Sequence, residues 1–421
     1  MSNLRSRHNV ARSPHRPSPL IGAALLGVAA LVLSGCGGSG KAGQPDDADP
    51  AATTTSSAAA GVDSPPAAPV KVSANVRKGA QDVPVDKVLS VTAQQGTIKS
   101  VTVSAPKLGR IAGKVAADGG SWTATSLLEP GAAYTIKTVA AAADGTQVTS
   151  KTRFHTKALT LAEQTYPSVA PLAGETVGVG MPVIVTFDVP VTNKANFEKH
   201  MHVTSTPSQP GSWYWVSDKE AHWRPKNYWK AGTDVDVRVD VNSVSAGGGI
   251  YGQENRDLKF HVGDAHIYKV NTRTDQMKVF SNGKLLRTIP VTTGKPGFTT
   301  RSGVKVIIEK FAKHTMNSET IGIGKSNPEY YNMTDVQWAM RMTYSGEFIH
   351  AAPWSVGSQG YANVSHGCTG ISTANADWLY HMTLRGDVVE TVGTDRPMEF
   401  GNGYGDWNMA FKNYKKGSAL S

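Results

Sequence analysis

The amino-acid sequence predicts a mainly β protein in which two tandem immunoglobulin-like β-sandwiches precede a third β-rich domain with one or two short helices. Its 421 residues are enough for two to four domains. Apolar and polar residues alternate over 134–139 and again over 235–241, and this period of two indicates strands with one buried face. Apolar residues make up 39% of the chain, which argues against a wholly disordered protein.

Residues 1–35 have the pattern of an export signal. A basic stretch precedes an uninterrupted apolar or glycine run over 20–33, which is shorter than the ~20 residues of a membrane-spanning helix. The run ends in Leu-Ser-Gly-Cys, which resembles the lipobox of bacterial lipoproteins. That resemblance implies acylation of Cys36, export, and attachment to the outer face of the cytoplasmic membrane, in the cell wall or periplasmic space. A plain secretory signal is the alternative.

Residues 36–69 are predicted to form a flexible linker behind this anchor. Val62 is the only bulky apolar residue in a segment dominated by glycine, alanine, serine, threonine, proline and aspartate. Such a composition buries too little apolar surface to offset the entropy lost on ordering.

The next two segments, 70–158 and 159–264, look like copies of one immunoglobulin-like unit. Each has a tryptophan followed nine residues later by a glycine, then an alternating run, then a closing Phe-His pair. The shared positions are Trp122, Gly131 and 154–155 in the first copy, and Trp223, Gly232 and 260–261 in the second. Short strands and frequent turn residues are typical of β-sandwiches. Neither copy clusters catalytic residue types, so we interpret both as spacers or wall-contacting modules.

The third predicted domain spans 265–395, and residues 396–421 are expected to pack on it. Asn282-Gly283 between two apolar runs is a strong hairpin signal. The segment 303–308 is predicted to form a buried strand. Within this domain, only the segment 373–384 has a helical pattern.

The chain has two cysteines, Cys36 and Cys368, so acylation of the first leaves the second as a free thiol. A neighbouring imidazole can activate such a thiol as a nucleophile. His350 and His366 are both close in sequence, and His350 ends a predicted strand that could pair beside the cysteine segment. Gly367 lets main-chain N–H groups approach a substrate carbonyl. There are two alternatives: a buried structural cysteine, and a zinc site formed by His350, His366 and Cys368.

The segments His-Ala-Ala-Pro-Trp at 350–354 and Ser-His-Gly-Cys at 365–368 resemble the catalytic domain of YkuD-type L,D-transpeptidases. The lipobox, the two immunoglobulin-like units and Gly-Asp-Trp-Asn at 405–408 make the chain similar to the actinobacterial, mycobacterial-type members. The resemblance implies an enzyme that forms 3→3 cross-links in peptidoglycan, with tetrapeptide stems as donor and acceptor. It also implies covalent inhibition by carbapenem-type β-lactams. No cofactor or metal is expected.

The resemblance also implies residue roles. Cys368 is the nucleophile, His350 the general base, and the Ala351 main-chain carbonyl the third member; His366 supports the site, and Gly367 supplies an oxyanion N–H. Residues implied in substrate binding are Met316, Tyr330, Tyr331, Asn332, Trp354, Thr369 and Gly370. Two positions depart from the family pattern. Gly370 replaces a common asparagine, and the pocket tyrosine is expected near Asn332 but occurs one or two residues earlier.

Two other functions are compatible with the sequence. An L,D-carboxypeptidase would hydrolyse the same thioester, and a non-catalytic lipoprotein would bind the wall through its immunoglobulin-like units. A papain-like peptidase is disfavoured because the histidine precedes the cysteine here.

The net charge of +10 suits an anionic envelope, and the absence of a lysine or arginine run argues against a nucleic-acid partner.

Overall fold

The computed structural model describes residues 69–421, so the predicted signal, Cys36 and almost all of the predicted linker lie outside the described residues. Within the described range strands predominate and α-helices are short, which confirms the predicted mainly β class. None of the helices in this range is long and apolar enough to span a membrane.

Eight strands form the first sandwich. They are β1 Lys71–Ala74, β2 Ser90–Gln94, β3 Thr97–Ala105, β4 Gly109–Ile111, β5 Gly113–Val115, β6 Ser121–Ala124, β7 Ala133–Ala141 and β8 Gln147–His155. The two sheets have strand orders β1-β2-β6-β5 and β4-β3-β7-β8. Their facing sides bury an apolar core that includes Leu89, Trp122, Leu128 and Phe154, because alternating strands present one apolar face each.

The second sandwich follows directly. Its elements are β9 Gln164–Thr165, β10 Pro167–Ala170, β11 Thr176–Val177, β12 Val183–Phe187, α1 Lys194–Glu198, β13 Met201–Thr206, β14 Gly211–Trp215, β15 Glu220–Pro225, β16 Asp234–Val239, β17 Ser245–Gly247, β18 Ile250–Gly252 and β19 Arg256–Val262. The main sheets run β10-β12-β15-β14 and β11-β19-β16-β13, beside a small sheet β17-β18-β9.

The predicted repeat has a structural basis in the two tryptophans. Trp122 on β6 and Trp223 on β15 are both buried. Each covers a glycine on the neighbouring strand, where a Cβ on Gly113 or Gly211 would lie 2.1 or 2.2 Å from the indole ring. The glycines nine residues after each tryptophan adopt φ of 62° and 76°, a region that favours glycine in turns. The two copies therefore share a tryptophan–glycine packing unit as well as a sequence pattern.

The third domain consists of two sheets and one α-helix. Its elements are β20 His266–Asn271, β21 Gln276–Ser281, β22 Lys284–Pro290, β23 Gly303–Val306, β24 Glu309–Asn317, β25 Asn332–Arg341, β26 Phe348–Ala351, β27 Thr369–Ile371, α2 Thr373–Met382 and β28 Val388–Val392. The sheets run β22-β21-β20-β28-β23 and β24-β25-β26-β27. The predicted hairpin joins β21 to β22, and the predicted helix is α2, which buries Ala376 and Leu379 in the common core.

The C-terminal segment 396–421 contacts both the third domain and the second sandwich. Asn408 exchanges two hydrogen bonds with the Val304 main chain, at 2.8 and 2.7 Å. The Trp407 indole donates to the Gly180 carbonyl of the second sandwich at 2.7 Å. The segment, which includes α3 Phe411–Tyr414, therefore ties the third domain to the second sandwich.

A buried histidine lies at this junction. His222 Nδ1 is 2.9 Å from Asp406 and its Nε2 is 2.9 Å from Glu220. Burial alone would lower the pKa of His222, but the two carboxylates outweigh it and raise the pKa to about 9. The charged histidine stabilises the fold fully below its ordinary pKa of 6.5, and this contribution is lost as the pH rises through 9.

We expect His222→Gln to lower the free energy of unfolding by about 3–5 kcal/mol below pH 6.5, since it leaves a buried carboxylate without its charged partner. The loss should shrink above pH 9, where the wild-type histidine is neutral. Urea unfolding on both sides of this interval measures it. His261→Gln is the matched control, because His261 is an exposed partner of Asp234 at 2.8 Å and such pairs contribute ~1 kcal/mol or less. Equal losses in the two variants would contradict the prediction.

Candidate active site

The Cys368 thiol lies immediately before β27, where two adjoining cavities meet. The first cavity, of about 260 Å³, is lined by Cys368, His350, Trp354 and Gly370, among others. The second cavity, of about 200 Å³, includes Cys368 and Arg341 in its lining. The free thiol is therefore reachable from two sides.

Parallel pairing of β26 with β27 brings the predicted base to the cysteine segment. Ile349 lies opposite Thr369 and His350 opposite Gly370, so Cys368 and His350 meet at the first cavity. This confirms the predicted pairing of the histidine strand with the cysteine segment. The sheet, not the sequence interval between the two residues, brings them together.

The orientation of His350 suits a general base. Its Nδ1 donates a hydrogen bond to the Ala351 carbonyl at 2.8 Å, as the resemblance implied. With the proton held on Nδ1, the Nε2 atom of the neutral ring can accept one. The imidazole is buried, and burial lowers its pKa more than the Ala351 carbonyl raises it. His350 is therefore neutral at physiological pH.

The thiol is protonated in the resting state. Its Sγ donates to the Gly346 carbonyl at 3.5 Å. Burial raises the pKa of Cys368 to about 12, although a main-chain hydrogen bond from Phe348 acts in the opposite direction. The sequence left open whether His350 holds a thiolate as an ion pair or takes its proton. The raised pKa of Cys368 and the lowered pKa of His350 favour the second alternative, in which His350 removes the thiol proton during the reaction.

His366 is engaged away from the thiol. Its Nε2 lies 2.7 Å from the Glu329 carboxylate, which also accepts from Lys295 Nζ at 2.6 Å. Its ring packs against Phe298 and Tyr331, with centroids 4.6 and 5.0 Å away. His366 is therefore part of the wall of the first cavity. Sequence reasoning missed Glu329 and Lys295, because they are distant along the chain and belong to no motif.

The turn before the nucleophile is held by Ser365. Gly367 has φ of 122°, which only glycine adopts easily, and its N–H donates to Ser365 Oγ at 3.1 Å. The same hydroxyl donates to the Cys368 carbonyl at 2.7 Å. The Gly367 N–H, expected to serve an oxyanion, is therefore already engaged, and the expected role requires it to leave Ser365.

Four of the seven residues implied in substrate binding line the first cavity, and three do not. Those that line it are Met316, Tyr331, Trp354 and Gly370. Those that lie outside both cavities are Tyr330, Asn332 and Thr369. Asn332 pairs with Asn317 between β25 and β24, and Thr369 is buried within β27. Of the two adjacent tyrosines, Tyr331 is thus the one that lines the first cavity. Trp354, 55% exposed, stacks on the His350 ring at 5.8 Å.

Close packing explains the glycine at position 370. A Cβ there would lie 2.9 Å from the Ala352 Cβ and 3.0 Å from the Thr292 methyl group. The asparagine common in the family pattern would require one of these neighbours or β27 to shift. Glycine at position 370, in place of the family's common asparagine, therefore fits the close packing against Ala352 and Thr292.

A zinc site is not supported by the arrangement of side chains. Within residues 69–421, no three histidine, cysteine, aspartate or glutamate side chains are grouped so as to hold a metal ion. In the described part of the chain His350, His366 and Cys368, the three side chains considered as zinc ligands, form no such group.

Comparison with known proteins gives consistent matches over most of the chain. A family model described as the L,D-transpeptidase catalytic domain matches residues 265–391, and one described as a bacterial Ig domain matches 80–245. L,D-transpeptidase 2 of Mycobacterium tuberculosis is 37% identical over 350 residues, which cover 83% of this chain and 85% of that protein. L,D-transpeptidase 5 of the same species is 32% identical over 367 residues, covering 85% and 78%.

Solved structures also match. The structure of LD transpeptidase LdtMt1 in complex with imipenem is 37% identical and covers 53% of this chain and 97% of that chain, with a TM-score of 0.48. An L,D-transpeptidase from Mycobacterium smegmatis is 36% identical and covers 54% of this chain and 99% of that chain, with a TM-score of 0.46.

Proposed function

The chain belongs to the L,D-transpeptidase family, and from this premise we propose that it joins the diaminopimelate residues of neighbouring peptidoglycan stems by 3→3 cross-links. It is a peptidoglycan L,D-transpeptidase, an acyltransferase, and not a non-catalytic wall-binding protein. The observation that carries the proposal is the neutral His350, oriented by the Ala351 carbonyl at 2.8 Å, beside Cys368 in one cavity.

In the first half-reaction the Cys368 side chain turns from the Gly346 carbonyl toward His350. The thiol proton passes to His350 Nε2 as Sγ bonds to the carbonyl carbon of the third residue of a donor tetrapeptide stem. The bond from that carbon to the D-alanine nitrogen then breaks, and the imidazolium returns the proton to the leaving amine. Main-chain N–H groups around Cys368 stabilise the oxyanion.

In the second half-reaction a side-chain amine from a neighbouring stem attacks the thioester. His350 takes a proton from the amine, the carbon–sulfur bond breaks, and the thiol regains its proton. The two cavities that meet at Sγ suit a reaction with two substrates, because donor and acceptor can approach from different sides. A bound acceptor amine also raises its local concentration over competing water.

Incubation with a disaccharide-tetrapeptide tests this function by mass spectrometry of the products. We expect the cross-linked dimer as the main product, with tripeptide from thioester hydrolysis as a minor one. Tripeptide alone, even at high acceptor concentration, would contradict the proposal and indicate an L,D-carboxypeptidase.

Carbapenem-type β-lactams are proposed as covalent inhibitors. Opening of the strained β-lactam by the thiol forms the same acyl–sulfur bond as the first half-reaction. The adduct carries no D-alanine leaving group.

A lipid anchor on Cys36 is proposed from the lipobox resemblance. It would place the catalytic domain outside the cytoplasmic membrane, with residues 36–69 as tether and the two sandwiches as spacers. Cys36→Ala should leave the protein unprocessed or release it into the medium, as fractionation and intact-mass measurement would show. Unchanged membrane partitioning with unchanged mass would contradict the anchor.

A further inference from the structure

A buried cluster of charged side chains lies beside the thiol and has no part in the mechanism above. Glu347 is 3% exposed and Lys305, on β23, is fully buried. Lys305 Nζ lies 2.6 Å from one Glu347 oxygen, and Arg301 Nη1 lies 2.9 Å from the other. Lysine and glutamate are seldom so deeply buried unless they are paired. We call Glu347, Lys305 and Arg301 the buried ion cluster.

Glu347 lies in the chain between the two residues whose main-chain groups contact the nucleophile. The Gly346 carbonyl accepts from Cys368 Sγ at 3.5 Å, and the Phe348 main chain forms a hydrogen bond with the thiol. Displacement of the Glu347 carboxylate would therefore move both groups that now hold the sulfur atom.

The same carboxylate also anchors the other side of the nucleophile. It accepts from the Arg301 main-chain N–H at 3.1 Å. The preceding residue, Thr300, donates through Oγ1 to the carbonyl of Gly367 at 2.8 Å. The backbone that precedes the cysteine and the backbone that faces its thiol are thus held by one buried carboxylate.

We propose that the buried ion cluster positions Cys368 Sγ for attack and balances the charge beside it, with Glu347 and Lys305 as positioning residues. The proposal rests on Cys368 being the nucleophile of the proposed function.

Two members of the cluster, Glu347 and Lys305, act on the pKa of the thiol in opposite directions. After burial, the largest influence, Glu347 raises the pKa of Cys368, whereas Lys305 and Arg341 lower it. The other titratable groups that face the thiol across the two cavities are Tyr331, His314, Tyr344, His350 and His366. Removal of the Glu347 charge should therefore lower the pKa of the thiol, and removal of the Lys305 charge should raise it. Loss of packing alone would not produce these opposite shifts.

The test compares Glu347→Gln, Lys305→Met and the double variant. The first readout is the rate of Cys368 alkylation by iodoacetamide, which far below the thiol pKa is proportional to the thiolate fraction. We expect about tenfold faster alkylation in Glu347→Gln and about tenfold slower in Lys305→Met, as a shift of one pKa unit each way would give. Peptide mass mapping confirms the alkylated residue.

The second readout is kcat for cross-link formation. Both single variants should lose at least about tenfold, because the reacting atoms move out of alignment. Glu347→Asp should recover part of that loss. In the double variant, where Arg301 still pairs with Glu399 and no buried charge is left unpaired, alkylation should return towards the wild-type rate while kcat stays low. Glu390→Gln, which removes a surface pair with Lys269 at 3.4 Å, is the matched control.

Alkylation rates that move in the same direction, or that do not move, would overturn the charge-balancing role. An unchanged kcat in the double variant would overturn the positioning role, even if the single variants fail to fold. Because alkylation needs no peptidoglycan substrate, failure of this proposal is distinguishable from failure of the proposed transferase function.

Discussion

Replacement of Cys368 by alanine is expected to abolish cross-link formation. Removal of a nucleophile that forms a covalent intermediate typically costs at least ~10²-fold in rate and often far more. Here the loss should be complete, because Cys36 lies outside the third domain and no second thiol lines the two cavities in the described part of the chain. Product analysis with disaccharide-tetrapeptide measures the loss.

The same variant should form no covalent adduct with a carbapenem, as intact-mass measurement would show. Cys368→Ser keeps nearly the same shape and serves as the control for folding. A carbapenem adduct mapped to another residue, or an adduct that persists in Cys368→Ala, would contradict the assignment of the nucleophile.

Replacement of His350 by alanine is expected to lower kcat/KM by about 10²–10⁴-fold, the usual contribution of a general base. The thiol is protonated at neutral pH, since burial raises its pKa to about 12, so the reaction depends on a proton acceptor. Protonated His350 cannot accept this proton. Because burial lowers the His350 pKa below 6.5, the wild-type rate should fall on acidification only below that pH, and this acid limb should be absent from His350→Ala.

His366→Ala provides the comparison. Its Nε2 is bound to Glu329 at 2.7 Å, so loss of this ring should distort the cavity wall without removing the base. We expect a smaller loss of kcat/KM than in His350→Ala, with the acid limb retained. A larger loss in His366→Ala would mean that the two histidines have the opposite roles.

Local patterns in the sequence were sufficient to predict the fold class and the proposed reacting groups. Two sandwiches follow from period-two alternation and from the repeated tryptophan–glycine spacing, the hairpin from Asn282-Gly283, and α2 from its apolar stripe. These signals are readable because each depends on residues that are neighbours in the chain. His350 and Cys368 are recognisable for the same reason, since each lies in a short motif.

Tertiary structure alone decided which tyrosine enters the cavity. Tyr330, Tyr331 and Asn332 are consecutive, and a shift of one residue turns a side chain in an extended segment to the opposite face. The structure places Tyr331 in the first cavity and Asn332 in the β24–β25 ladder. Likewise, only the positions of Ala352 and Thr292 against Gly370 show why a side chain is excluded there.

The sequence by itself predicted a mainly β acyltransferase and singled out Cys368 and His350 as its proposed nucleophile and base. Only the tertiary structure decided what surrounds those two groups. Glu329 reaches His366, Glu347 meets Lys305, and the C-terminal segment reaches the second sandwich across long sequence separations. Buried polar groups must find partners wherever the packed backbone places them, and no local period or spacing records which partner that is.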